Sequence, residues 1–303
     1  MVLEGFLGPA FQARCGLSRI CDKPELILLG EYFFRDSVNL DALRAALVSD
    51  PVATFNDLSS WIDGAYVLVF IDPDSSAIWA TTDPYSLKRL YLRNASAGAM
   101  LSDTLTDFQE TDTLEFDSEG IQEYLRFLDM SPPRSCFKNI QVLGADSFVK
   151  IATTDRLLEI DTQNAVKPEP WGRSFEQAVT AVQQTLTRAT QKRMENHGKV
   201  GLLLSGGIDS SLLAATLTEL GYHDELVVYT VGFHDPALDE SPIAVAVARH
   251  LGLEHQVLKF SIDEEYQAFF EFCALLEMPF ADPATLSTYL ALKKLRADGV
   301  TAV

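Results

Sequence analysis

Apolar residues recur along this chain at two spacings, and the change from one to the other divides it. In the first half they come in strand-length runs. "GAYVLVFID" (64–72) and "AIWATTD" (77–83) flank Pro73-Asp74-Ser75-Ser76, a turn sequence. The first run is apolar on both faces, which suits a sheet covered on both sides. Helices are expected near 39–48 and 118–128. From Val200 onward strand and helix alternate, with strands at 200–204, 225–231 and 255–260 and helices at 209–220, 242–251, 263–276 and 285–297. Ser241 is a suitable N-cap, Pro242 fits the first helical position, and Gly252 stands where a C-cap glycine belongs. Such alternation predicts an α/β fold, a doubly wound parallel sheet with helices on its faces. "GVTAV" (299–303) reads as the start of one more apolar strand.

Between the two regimes lies "QNAVKPEPWGRS" (163–174), where Pro168 and Pro170 stiffen a polar connection. Ser174 then opens a helix, with Gln177 three residues on as a capping box requires. Phe175, Ala178, Val179, Val182 and Leu186 share one face of it at helical spacing. Two domains are therefore expected, 1–165 and 172–303. A chain of 303 residues suits this, since a domain typically takes ~100–200.

Charge narrows the partners. Forty-three acidic residues against 24 basic ones give a net charge of −19, which repels phosphate backbones and argues against nucleic acid. No apolar run approaches the ~18 residues of a membrane span, so no membrane partner is expected. The N-terminus carries Glu4 and lacks a basic stretch before a long apolar core, so it does not read as a secretory signal. Cys15, Cys21, Cys136 and Cys273 form no CxxC and no metal spacing with histidine, which points to reduced thiols and a cytoplasmic protein. The five histidines show no ligand spacing and are expected to be solvated or capping. Lys88 and Arg89 receive no catalytic role, and Arg249 and Lys259 are read as surface charges.

The chemistry concentrates in "GKVGLLLSGGIDSSLLAATLTELG" (198–221), where an apolar strand breaks at Ser205-Gly206-Gly207 and a helix follows. In an open parallel sheet ligands bind where strands end and helices begin. Glycines let the backbone approach an anion closely, amides at a helix N-terminus supply donors, and serine hydroxyls add more. Asp209 would repel a phosphate directly, so its useful role is to hold Mg²⁺ against the phosphate oxygens. The GxxxxGK[ST] and GxGxxG spacings are both absent, which removes a Walker A loop and a dinucleotide fingerprint. Without GxSxG, neither Ser205 nor Ser210 reads as a hydrolase nucleophile. A glycine-rich turn with a capping Ser or Asp is the plainer alternative, but SGGxDSS between a buried strand and an amphipathic helix holds more than a cap requires.

This stretch resembles the PP-loop of the ATP pyrophosphatases, which split ATP between the α and β phosphates, and within that group it is most similar to asparagine synthetase. The resemblance implies that Ser205, Gly206, Gly207 and Ser210 hold the pyrophosphate and that Asp209 coordinates magnesium. It also implies that Leu204 and Val231 meet the adenosine by main chain, Val231 lying in "YTVGF" (229–233). "DESPIAVAVARHLGLEH" (239–255) is similar to the family's next helix and strand. There the acidic pair Asp239-Glu240 lies near the nucleotide, although acids favoured by the helix dipole would read the same. "MPFADPATLSTYLALKKLRADGVTAV" (278–303) resembles the segment before a second signature, SGDGxDE, expected just past Val303. The nucleotide domain is accordingly expected to be incomplete at its C-terminus.

The first half resembles the family's glutaminase domain more loosely. "WIDGAYVLVFID" and "DPYSLKRLYL" are similar to LDGxFAFxxxD and RDxxGxKPLYY, and "FKNIQVLGADSFVKI" to its closing hairpin. The implied fold is an Ntn-hydrolase-like αββα sandwich. The departures are specific. The family's nucleophilic cysteine after the initiator is Val2 here, and its Asn-Gly-Glu is Leu29-Gly30-Glu31. Cys15 is internal and has no α-amine to serve as base. Glutamine hydrolysis is not expected, and no catalytic residue is assigned in this half. The resemblance thus implies a ligase that uses ATP and Mg²⁺ to activate an aspartate-like carboxylate, small molecule or peptide, as an acyl-adenylate that an amine then attacks. A homodimer is compatible with it. A degenerate first domain also resembles β-lactam synthetases and lasso-peptide cyclases, whose amine is intramolecular. Two other classes stand beside these: a tRNA-modifying PP-loop enzyme, which the acidic charge opposes, and a non-catalytic nucleotide-binding fragment or subunit.

Overall fold

The structure is a computed structural model that describes residues 12–14, 25–35, 38–72, 74, 77–95, 98–109, 114–145, 147–152, 158–162, 172, 174–195, 197–237, 239–282 and 284–303. Val2, Cys15 and Cys21, most of the 73–76 turn and most of the 163–174 connection lie outside these residues. The chain divides into two compact units, Met1–Glu169 with Glu277–Phe280, and Pro170–Leu276 with Ala281–Val303. Among the described residues no helix is long and apolar enough to cross a membrane.

In the first unit, β1 (Gln12–Arg14) is followed by β2 (Glu25–Phe34), α1 (Leu40–Ser49), α2 (Pro51–Asn56), β3 (Ile62–Asp72) and β4 (Ala77–Thr82). Then come β5 (Tyr91–Ala95), β6 (Gly98–Ser102), α3 (Thr106–Gln109), α4 (Ser118–Phe127), β7 (Ile140–Val142), β8 (Ser147–Ala152) and β9 (Leu158–Thr162). Antiparallel pairing gives one sheet in the order β2-β3-β4-β8-β9 and another in the order β1-β6-β5-β7.

The layering follows from strict alternation. Even positions of β2 and β3 (Leu26, Leu28, Tyr66, Leu68) pack on Leu43 and Leu47 of α1 and Phe55 of α2. Odd positions (Ile27, Val67, Val69) pack on Leu92 and Leu101 of the second sheet. The far side of that sheet, through Tyr91 and Met100, covers Phe108 of α3. Helix, sheet, sheet, helix is the αββα order that the resemblance implies, and burial on both faces of β3 follows from its double-sided apolar run. "FKNIQVLGADSFVKI" departs from the expected hairpin: β7 pairs with β5 while β8 pairs with β4 and β9. The segment links the two sheets, and the hairpin is β8–β9. The "DPYSLKRL" stretch is a turn built on Asp83, which is fully buried and accepts hydrogen bonds from the Tyr85, Leu87 and Lys88 amides at 3.0–3.1 Å.

The second unit contains α5 (Phe175–Met194), β10 (Val200–Leu203), α6 (Ile208–Glu219), β11 (Leu226–Val231), α7 (Ser241–Leu251), β12 (His255–Leu258), α8 (Ile262–Cys273) and α9 (Ala284–Ala297). Its sheet is parallel in the order β10-β11-β12, and Ala302 adds a parallel bridge to Val200. Met194, Leu217 and Ala248, from α5, α6 and α7, bury one face with Leu202 and Val228. Leu295 of α9 and Val300 bury the other with Leu203, Tyr229 and Leu258. Helices on both faces make the sheet doubly wound.

Two local expectations need correction, and a third is met without the burial its pattern suggests. The capping box at Ser174 is present, but the α5 stripe it introduces is uncovered: Phe175, Val179 and Val182 are 78%, 49% and 52% exposed, and the helix buries Thr190 and Met194 instead. Helical spacing fixes which residues share a face, not whether anything covers that face. The N-cap of α7 is Glu240, and Ser241 is its first helical residue. Its amide is satisfied from further upstream, by the Asp239 carboxylate at 3.1 Å. Last, His255 is neither solvated nor capping, as its partner below shows.

Candidate functional site

The end of β10 is pinned before the chain turns. The Leu204 amide donates to the Tyr229 carbonyl at 2.8 Å, and the Thr230 hydroxyl donates to the Leu204 carbonyl. Thr230 also lies 2.7 Å from His255 Nε2, and with its own hydrogen spent on Leu204 it must accept from the imidazole N–H. His255 is half-buried, and that burial pushes its pKa down. A hydrogen-bonded row thus runs from the start of β12, through Thr230 near the end of β11, to the residue after β10.

At Gly206 the backbone turns through φ 83°. A Cβ there would stand 2.8 Å from the Ala244 amide nitrogen and 2.9 Å from Ile243 Cγ2, so the loop lies directly on the first turn of α7. Ser205 and Ser210 then close the loop upon itself. Their hydroxyls are 2.9 Å apart, the Gly207 amide donates to Ser205 Oγ at 3.2 Å, and the Ser205 amide donates to Ser210 Oγ at 3.2 Å.

Helix α6 starts immediately after. Its N-cap is Gly207 and no side chain caps it, whereas Ser174 and Ser261 each complete a capping box on α5 and α8. The amides of Ile208, Asp209 and Ser210 are left without intrahelical acceptors, and the helix dipole adds its positive end. This is the arrangement that takes an anion. Asp209 is exposed and has no partner among the described residues. A free carboxylate beside anion-binding amides fits a bridging hard cation. Among the described residues no cluster of three potential ligand side chains exists. A cation here would complete its shell from phosphate oxygens and water, as Mg²⁺ commonly does.

Beside the loop lies a cavity of about 310 Å³, within the range of small-ligand sites. Leu204, Ser205 and Val231 line it together; Gly206, Gly207, Asp209 and Ser210 form the adjoining loop and do not line it. Phe233, Glu240 and Thr288 complete walls that the sequence reading left out or left open. A signal for α9 was present. "TLSTYLAL" sets hydroxyl residues in an otherwise apolar stretch of α9, and Ser287 is buried there at 9% exposure.

The acidic pair before α7 proves to be two different things. Glu240 is exposed and faces the cavity. Asp239 is committed: Oδ1 accepts from the Phe233 and Ser241 amides at 3.3 and 3.1 Å, and Oδ2 accepts from Lys259 Nζ at 2.9 Å. Hydrogen bonds from Ser241 and Lys259 hold its carboxyl well below the usual carboxylate range. Asp239 is therefore a backbone brace rather than a metal ligand.

A larger, open recess of about 670 Å³ in the first unit, beside Pro132, Pro133 and Arg134, carries no comparable chemistry. Its Arg134 guanidinium is spent on Glu119 and Glu123 at 3.2 and 2.6 Å.

Residues 181–303 match the asparagine synthase family model. A putative glutamine-hydrolyzing asparagine synthetase of Mycobacterium bovis is 27% identical over 77% of this chain and 37% of its own length. Glutamine-hydrolyzing asparagine synthetase 1 of Bacillus subtilis is 22% identical over 82% of this chain and 39% of its own. The chain thus spans under two fifths of the length of these relatives. Among solved structures, the glutamine-dependent NAD+ synthetase of Acinetobacter baumannii in complex with ADP overlaps 57% of this chain and 31% of its own. Its TM-score is 0.32 at 18% identity, too slight a likeness to bear on the site.

Proposed function

Since residues 181–303 match the asparagine synthase family model, we propose that this chain supplies the nucleotide site of an ATP-dependent, amide-forming ligase. The observation that carries the reading is the uncapped N-terminus of α6, folded against the SGGIDSS loop at the C-terminal edge of a parallel sheet. The loop amides, with the hydroxyls of Ser205 and Ser210, hold the β and γ phosphates. Leu204 and Val231 present main-chain groups to the adenosine in the adjoining cavity. Asp209 would hold Mg²⁺, which supplies neutralisation of phosphate charge. A carboxylate oxygen of the substrate attacks the α-phosphorus, the bond to the β-phosphate oxygen breaks, and pyrophosphate leaves. An amine then attacks the acyl carbon of the mixed anhydride, loses a proton and expels AMP. Preorganised donors at the departing pyrophosphate favour the first step, because negative charge builds up there.

Residues 1–165 act in this reading as a glutaminase-like domain without glutaminase chemistry. Val2 and Leu29 stand where the resemblance calls for a nucleophile and an oxyanion donor. Those same substitutions favour a second reading, an intramolecular amide cyclase with no need of released ammonia. Free Cys136 and Cys273 suit a cytoplasmic setting. The test is titration of the chain with ATP·Mg²⁺, followed by pyrophosphate exchange with aspartate and other carboxylates. Absence of ATP binding would sink the nucleotide site, and exchange that is independent of any carboxylate would sink the ligase.

A further inference from the structure

Lys259 reads as a surface charge, yet three contacts tie it to the loop after β11. Its ammonium donates to the Phe233 carbonyl and to Asp239 Oδ2, both at 2.9 Å. Its stem crosses Gly232, where a Cβ would stand 3.0 Å from Lys259 Cε, 2.8 Å from Val257 Cγ1 and 3.2 Å from Asp239 Oδ1. The absence of a side chain at 232 is what lets the lysine lie down across the strand end. A long apolar stem with a point charge at its tip suits the path, since the methylenes pack while the head collects oxygens.

The brace continues to the phosphate loop. Asp239, held by Lys259, accepts the Ser241 amide and so fixes where α7 begins. Two and three residues on, Ile243 and Ala244 form the floor under Gly206. Phe233 and Glu240, on the braced loop itself, line the cavity. One lysine therefore sets two walls of the site without facing it.

We propose that Lys259 is a positioning residue of the nucleotide site: through Asp239 it sets the start of α7, and α7 in turn sets the phosphate loop at Gly206. The proposal rests on the nucleotide reading above. It is tested with Lys259→Met, which keeps an unbranched stem and removes the charge, and Lys259→Arg, which keeps a cation on a stem one methylene shorter. Amide hydrogen exchange is followed without nucleotide, and ATP·Mg²⁺ affinity by calorimetry. In Lys259→Met the Phe233 and Ser241 amides should exchange faster while Leu204, bonded to Tyr229, keeps its rate. Affinity should fall by about tenfold or more, as loss of charge-assisted contacts implies. Lys259→Arg should restore both. The affinity loss should persist in high salt, which screens a mere long-range charge effect. A methionine variant that binds like the wild type overturns the proposal, whether or not exchange changes. A wild-type chain that binds no ATP·Mg²⁺ sinks the nucleotide reading, and the proposal with it, before any variant is compared.

Discussion

Gly206 and Ala244 meet backbone to backbone beneath the phosphate loop: a Cβ on the glycine would stand 2.8 Å from the alanine nitrogen. No side-chain rotation relieves such a contact. Gly206→Ala should therefore lift the loop off α7, in addition to about 1–2 kcal/mol for an L-residue at positive φ. ATP·Mg²⁺ affinity should fall by roughly tenfold or more. Gly207→Ala is the control. Its φ is −67° and its Cβ would meet a serine hydroxyl at 3.3 Å, so the effect should be smaller. Equal losses in calorimetric titrations would contradict this account of the loop.

Asp209 should separate nucleotide binding from stability. It is exposed and without a partner among the described residues, so Asp209→Asn should shift unfolding by no more than about 0.5 kcal/mol. In the presence of Mg²⁺ the variant should bind ATP about tenfold more weakly or worse. Without Mg²⁺ it should bind as well as the wild type or better, because the repulsion between carboxylate and phosphate is gone. The crossing of the two Mg²⁺ titrations is the diagnostic. Parallel curves would remove the metal role.

His255 gives the sheet a pH dependence of definite sign. Burial places its folded-state pKa below the ordinary 6.5, so the folded protein resists the proton that the unfolded chain takes up. Its contribution is complete above 6.5, declines as pH falls through that value, and levels off below the folded pKa. His255→Gln keeps an N–H for Thr230 and cannot titrate. Denaturant unfolding from about pH 7.5 to 5.5 should show the wild type losing more stability than the variant. Identical slopes would rule out the assignment.

Thr230→Val removes the hydroxyl that serves both neighbours and leaves the Leu204 carbonyl without its side-chain donor. A cost of about 1–3 kcal/mol is expected for the unpaired buried groups. The same variant should also weaken ATP, since Leu204 lines the cavity. Full stability in urea melts would show that the row from His255 to Leu204 is ornamental.

The first unit should not hydrolyse glutamine. Incubation with glutamine and an ammonia assay should give background release, for want of a nucleophile at Val2. Turnover at a steady rate would reveal a nucleophile elsewhere in the chain.

Contiguous features were legible in the sequence. The strand, loop and helix around Ser205 sit within twenty residues, and the Ser174–Gln177 box is a local exchange of hydrogen bonds. So was the alternation that sends Leu68 and Val69 to opposite layers. What stayed hidden depends on pairing at a distance. Lys259 has the composition of a surface residue, and its partners lie 20 and 26 positions away. His255 finds Thr230 only because β11 and β12 are parallel neighbours in one register. The segment at 137–151 carries two strands in hairpin-like succession, and only the pairing shows that each joins a different sheet.

One end of α9 is riveted and the other is a wall. Lys294 and Asp298 bond to each other and to the Tyr229 hydroxyl on β11, while Ser287 and Thr288 face the cavity. The eleven steps from Ser287 to Asp298, just past the end of α9, span about 16 Å. The helix is thus a cantilever, and a tilt of about 5° at the rivet would carry the far end about 1.4 Å, enough to open or crowd a site of this size. The bore of the cavity is therefore set from the far end of α9, where Lys294 and Asp298 hold the helix to β11, as well as by the residues that line it.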